Sequence, residues 1–134
     1  MSKHVIVPSH DERVVVDIEI PRPGRAKSLR FKTARLDFQP IEVALKVDEL
    51  WTAHVEWVQA DAAKRAGRDV EVPERPEIDG HTFRHPLEVW IRVLEMEDAD
   101  GLCELTAGER EQIWKIWQDE SEADLGESSA SSDS

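Results

Sequence analysis

The sequence predicts a mostly α-helical α+β fold, in which an N-terminal β-hairpin packs on about three helices. Apolar and polar residues alternate over 13–20 and again over 29–32, a pattern typical of half-buried strands. Apolar residues recur at helical spacing in three later segments, which span 40–67, 86–96 and 106–121. Helices therefore account for most of the ordered chain.

The hairpin is the clearest β element. Every second residue of the first strand is apolar, and this set comprises Val14, Val16, Ile18 and Ile20. In the second strand Leu29 and Phe31 alternate with Arg30 and Lys32. Antiparallel pairing would place the acids of the first strand opposite these bases, which is a favourable cross-strand arrangement. An isolated hairpin is marginally stable in water, so we expect helices against its apolar face.

The longest helix is predicted from Pro40 to about Gly67, because proline suits a first helical position and glycine suits a C-cap. Its buried stripe is predicted to comprise Ala44, Val47, Trp51, Val55, Val58 and Ala62. His54 lies beside this stripe. We interpret it as a hydrogen-bonded core histidine.

Residues 68–85 are predicted to form a flexible loop, because prolines and the turn pair Asp79-Gly80 interrupt a run of charges. His81 and His85 within it have a spacing that would bring two imidazoles to one face of a helix. The pair follows a glycine, ends at a proline and lacks an obvious third ligand. We therefore interpret both as exposed loop histidines.

Residues 86–96 are predicted to form a helix that is apolar around most of its circumference. Such a helix must be covered on several sides. Its two apolar stripes comprise Leu87, Trp90, Ile91 and Leu94, and beside them Val89, Val93 and Met96. A strand is the alternative, since β-branched residues alternate here. We favour the helix because Glu88 and Arg92 are an i, i+4 pair and Pro86 suits a first helical position.

Thr106 and Glu109 form a capping-box pattern, which predicts the start of the last helix. The inward face of this helix is predicted to comprise Ile113, Ile116 and Trp117. Residues 124–134 are acidic, serine-rich and nearly free of apolar side chains. They predict a disordered tail.

The chain is acidic, with a net charge of −12 over 134 residues, and its length predicts a single domain over 1–123. This charge argues against a nucleic-acid binder, which needs clustered cations. One cysteine, Cys103, excludes an internal disulfide and fits a reducing cytosol. No apolar stretch approaches the roughly 20 residues of a membrane span, so we expect a soluble, cytosolic protein.

No sequence pattern indicates an enzyme. A glycine-rich phosphate loop is absent, and an acidic chain supplies carboxylate pairs by chance. Cys103 has no histidine beside it and is interpreted as a buried structural thiol. We therefore predict no catalytic residues, no cofactor and no metal.

Five tryptophans are the unusual feature of the composition. Trp51, Trp90 and Trp117 are predicted to fill the core. Trp57 and Trp114 lie at the edges of helical stripes, where partly exposed tryptophans are enriched as interface anchors. We predict that these two bind a protein partner, with homo-oligomerisation left open.

At the end of the chain, Leu105-Thr106 precedes an amphipathic helix that contains Trp117, and residues 126–131 read Gly-Glu-Ser-Ser-Ala-Ser. In these features residues 105–134 resemble the end of the short form of tail assembly chaperones of long-tailed phages infecting actinobacteria. The resemblance implies a protein of the host cytoplasm that is absent from the virion. It would coat the apolar tape measure protein during tail tube assembly, with a longer form made by programmed frameshifting.

Two other functions remain open. A phage structural connector or adaptor would stay in the particle, so retention in purified particles separates it from a chaperone. An acidic nucleic-acid mimic would bind a basic DNA-binding protein in a salt-sensitive way and should present its acids as one stripe. The acids are instead scattered over the predicted loops and tail, which favours the chaperone.

Overall fold

The computed structural model describes residues 4–8, 10–24 and 26–123, and within them the fold is α+β and mostly α, as predicted. The regular elements are β1 (Val15–Ile20), β2 (Leu29–Ala34), α1 (Ile41–Arg65), α2 (Pro86–Val93), α3 (Ala99–Leu102) and α4 (Ala107–Glu122). Short 3₁₀ turns span Glu12–Val14 and Leu36–Phe38. The tail predicted over 124–134 lies outside the described residues.

The chain divides into two compact units. The hairpin unit contains the described residues of 4–39 and 100–123, and the helical unit contains residues 40–99. The single domain expected over 1–123 stays a prediction, because contacts within each unit do not show whether the two units unfold together.

In the hairpin unit, β1 and β2 pair antiparallel with the complementary charges that the sequence predicts. Glu19 is opposite Arg30, and the Arg30 guanidinium lies 2.8 Å from the Asp17 carboxylate on the diagonal. β1 begins at Val15, two residues later than expected, because the Asp11 side chain accepts a hydrogen bond from the Arg13 amide and starts a 3₁₀ turn.

The apolar face of the hairpin packs against α4. Trp117 is fully buried, its ring lies edge-on to Phe31 at 5.0 Å, and its Nε1 donates to the Ala34 carbonyl at 3.0 Å. Ile113 is also buried, but Ile116 is 41% exposed, so the prediction that it faces inward is wrong. Position 116 is about 100° around the helix from Trp117, at the open border between α4 and β1.

Both ends of α4 are held by side chains. The capping box between Thr106 and Glu109 is present, as predicted. At the other end the buried Arg35 donates to the Ser121 carbonyl at 2.6 Å, and the Ser121 hydroxyl accepts from the Leu36 amide at 2.8 Å. These bonds satisfy backbone groups that a helix end leaves without partners.

In the helical unit, α1 has nearly the predicted length, but it buries a different face. Only Val47 and His54 are buried on this helix, whereas Val55 is 36% and Val58 is 44% exposed. The helix is apolar over a wide arc, and α2 packs against one edge of that arc. The predicted stripe is therefore wrong. The face that α1 buries is rotated about the helix axis from that stripe by well under half a turn.

α2 is a helix, as favoured over the strand alternative, and it buries Leu87, Val89, Trp90 and Ile91. It ends at Val93 instead of Met96, because Leu94 is the C-cap and Glu95 has a positive φ of 54°. His85 is its N-cap, and the imidazole Nδ1 accepts a hydrogen bond from the Leu87 amide at 3.0 Å. The interpretation of His85 as an exposed loop histidine is thus wrong.

Candidate protein-binding surfaces

An aromatic cluster in the helical unit surrounds His54 of α1. The imidazole stacks on Trp51 at 4.9 Å and lies 5.4 Å from Phe83 and 5.9 Å from Trp57. His54 is 6% exposed, and its Nδ1 has no hydrogen-bond partner among the described residues. The expected hydrogen-bonded histidine is therefore packed mainly by rings.

The protonation state of His54 follows from this environment. Burial lowers the pKa of His54 below its usual value of 6.5, the positive charge of Arg75 lowers it further, and Glu88 opposes both effects. The neutral imidazole is therefore the form that the cluster favours. A neutral ring can stack on Trp51 without bringing a charge next to Arg75.

Trp57, one of the two predicted partner-binding residues, is half-buried at the edge of this cluster. The Arg75 guanidinium lies 4.5 Å from the centre of its ring, a cation–π contact. The same Arg75 donates to the Phe83 carbonyl at 3.4 Å, and Phe83 is 1% exposed. Trp57 thus anchors residues 68–85, which contain no helix or strand beyond an isolated bridge between Ile78 and His81.

Trp114, the other predicted partner-binding residue, belongs to α4 of the hairpin unit. It is half-buried and lies edge-on to Trp117 at 5.9 Å, with an interplanar angle of 73°. This placement fits the predicted stripe edge. Part of the ring is accessible, while its inner edge contacts the core through Trp117.

The largest exposed apolar side chains of α1 share one face of the helix. Ile41 is 76%, Leu45 is 64%, Val58 is 44% and Val55 is 36% exposed. Successive helical residues are about 100° apart, which places these four within an arc of roughly 140° whose Val58 edge adjoins the buried His54. We call these four residues the exposed α1 face. They extend over about 26 Å, at roughly 1.5 Å per residue.

A second apolar surface lies in the hairpin unit between β1 and α4. It is an open groove of about 280 Å³ lined by the apolar residues Ile18, Ile20, Pro21, Ile113 and Ile116 and the polar residues Glu19, Glu109 and Gln112. The exposed Ile116 belongs to this groove, and Trp114 does not line it. The sequence analysis missed the groove because it placed Ile116 in the core.

No arrangement typical of a metal centre occurs in the part of the chain that the structure describes. His85 uses its Nδ1 as a helix cap, and Cys103 is half-buried. The expectations of no enzyme and no cofactor stay predictions. Among the described residues, no helix combines the length and apolar character needed to cross a membrane.

The chain was compared with protein-family models, with curated proteins and with solved structures. None of the three comparisons finds a match. The function must therefore be argued from the surfaces described above and from the resemblance in residues 105–134.

Proposed function

We propose that this protein binds an apolar helical segment of another protein and keeps it soluble, and that it acts as a phage tail assembly chaperone. The observation that carries the binding role is the exposed α1 face, two pairs of large aliphatic side chains on the outside of the longest helix, with the exposed Asp48 and Thr52 between them. Exposed apolar patches rimmed by polar residues are typical of protein-interaction sites.

The energetics support such a role. Burying a fully exposed leucine or isoleucine side chain stabilises by roughly 1.5–3 kcal/mol. Ile41 and Leu45 retain most of their surface in contact with water, at 76% and 64% exposure. A client that covered the exposed α1 face would therefore gain several kcal/mol before the costs of association.

The charge of the chain fits the same role. A net charge of −12 keeps a protein soluble when it carries an aggregation-prone client. The resemblance in residues 105–134 supports the tape measure protein as that client, the host cytoplasm as the location and a frameshifted longer form. Trp57 and Trp114 are both half-buried and remain the proposed partner-binding tryptophans, and both lie outside the exposed α1 face.

Co-expression with a tape measure candidate tests this proposal. We expect the client to be soluble and to be recovered with this protein in a pull-down, and to aggregate without it. The double change Trp57→Ala with Trp114→Ala should reduce client recovery. A client that is equally soluble without this protein would contradict the chaperone role, and retention of this protein in purified particles would favour a connector.

A further inference from the structure

Three glutamates follow one border of the exposed α1 face at heptad spacing. Glu42, Glu49 and Glu56 are separated by seven residues each, and all three are exposed. No ion pair or hydrogen bond joins their carboxylates to another described residue. Seven residues correspond to almost two turns, so these carboxylates form a row along the helix axis. We call them the glutamate row.

The glutamate row lies on one particular side of the exposed α1 face. With about 100° between successive residues, the row is next to Leu45, on the side away from the buried His54. The opposite border adjoins Val47 and His54, which are already covered within the helical unit. A partner that covers the exposed α1 face would therefore meet the glutamate row along one border.

We propose that the exposed α1 face binds an amphipathic helix whose apolar stripe is flanked by lysine or arginine on the side that meets the glutamate row. Apolar contact would supply most of the affinity, and the charges would fix the orientation of the bound helix and its register. This inference rests on the proposed role in binding a helical client, and it states the chemistry of the binding segment.

A second copy of this chain is a poorer occupant of the same surface. Two copies meeting through this face would bring their glutamate rows together, and each chain already carries a net charge of −12. The chain's own residues 124–134 are also a poor match, since their sequence has acids, no base and almost no apolar residue. A basic partner relieves the repulsion that either alternative would increase.

Direct titration with two synthetic helical peptides tests the inference. Both peptides contain leucine at the core positions of about three heptads, and they differ only in having lysine or glutamate at the flanking positions. Fluorescence anisotropy of labelled peptide gives the two dissociation constants. We expect the lysine peptide to bind roughly tenfold or more tightly than the glutamate peptide at low salt.

Charge reversal supplies the matched control. The triple change Glu42→Lys, Glu49→Lys and Glu56→Lys should reverse the preference between the two peptides. A control triple change of exposed glutamates elsewhere, at Glu74, Glu77 and Glu120, alters the net charge equally and should keep the preference of the parent protein. Equal effects of the two triple changes would overturn the inference, because binding would then follow net charge alone.

The apolar part is tested by Leu45→Gln with Val58→Gln, which keeps good helix formers on exposed positions. Circular dichroism should be unchanged, and the lysine peptide should bind about tenfold more weakly. Unchanged affinity with a strong loss of binding at high salt would overturn the inference in favour of an electrostatic binder. Self-association of the parent protein that this double change abolishes would overturn it in favour of a second copy.

The same variants separate this inference from the proposed function. If the peptides behave as expected but the tape measure protein is not bound, the chaperone role fails and the surface stands. If the tape measure protein is bound by the Leu45→Gln, Val58→Gln variant as by the parent, the surface inference fails and the chaperone role stands.

Discussion

The hairpin unit and the helical unit both bury a large ring, but they satisfy its polar atoms differently. In the hairpin unit, Trp117 is fully buried, contacts Phe31 edge-on and donates its Nε1 proton to the Ala34 carbonyl. In the helical unit, His54 is almost as buried, yet its Nδ1 has no partner among the described residues. A buried polar atom without a partner costs roughly 1–3 kcal/mol.

The contrast extends to the helices that carry these rings. The end of α4 is held by Arg35 and Ser121, and its core side faces the hairpin. α1 is longer and carries both an unpaired buried nitrogen and the exposed α1 face. Exposed apolar side chains such as Leu45 remain available to a partner, whereas the buried His54 nitrogen does not. Of the two helices compared, α1 is the one that carries the surface proposed above to bind a partner.

The largest expected effect comes from removing Trp117, the buried ring whose nitrogen is hydrogen-bonded. Trp117→Ala should lower the free energy of unfolding by roughly 3–5 kcal/mol, because it leaves a cavity and deletes the hydrogen bond from Trp117 to the Ala34 carbonyl. Trp90→Ala is the matched change in the helical unit and should fall in the same range. Urea unfolding followed by circular dichroism measures both. A single shifted transition in each variant would support one cooperative domain, and two separate transitions would contradict it.

The second prediction concerns a core substitution that should not lower the free energy of unfolding. His54→Phe should leave the free energy of unfolding unchanged or raise it by about 1 kcal/mol, because phenylalanine keeps the ring stacking and removes the unpaired Nδ1. Trp117→Phe is the control and should destabilise, since it deletes a hydrogen bond that is made. Destabilisation of His54→Phe by several kcal/mol would show that the imidazole has a polar partner in solution.

The third prediction concerns pH. The folded-state pKa of His54 is lowered below 6.5, mainly by burial and then by Arg75, so the unfolded chain binds a proton more readily. His54 therefore contributes stability that is fully present above about pH 6.5 and is lost as the pH falls through the lowered pKa. Urea unfolding at a series of pH values from neutral to mildly acidic should show this loss in the parent and less of it in His54→Phe. Parallel curves for the two proteins would contradict the assignment.

The smallest effect is expected on the exposed α1 face. Leu45→Gln should change the free energy of unfolding by less than about 0.5 kcal/mol, because Leu45 is 64% exposed and glutamine is a good helix former. Val47→Gln on the buried side of the same helix is the control and should cost several times more. Similar losses for both would mean that the exposed α1 face is covered in the free protein.

Several elements were predictable because their signals are local. The alternation of Val16, Ile18 and Ile20 predicts a strand that is buried on one face, whatever covers that face, and Val16 and Ile20 are buried. The capping box of Thr106 and Glu109 satisfies helix donors within a single turn. The cap at His85 was missed, although a polar residue before Pro86 at the first helical position was a signal for it.

The sequence by itself determined the hairpin, its charge pairing and the positions of α1, α2 and α4, since hydrophobic period and capping act over a few residues; the short α3 was not predicted. Only the tertiary structure decided which part of the wide apolar arc of α1 is buried. That choice selected Val47 and His54, exposed Val55 and Val58, and placed Arg75 over Trp57. The reason is physical: helical periodicity shows which residues share a face, but distant segments such as α2 and Phe83 determine which face is covered.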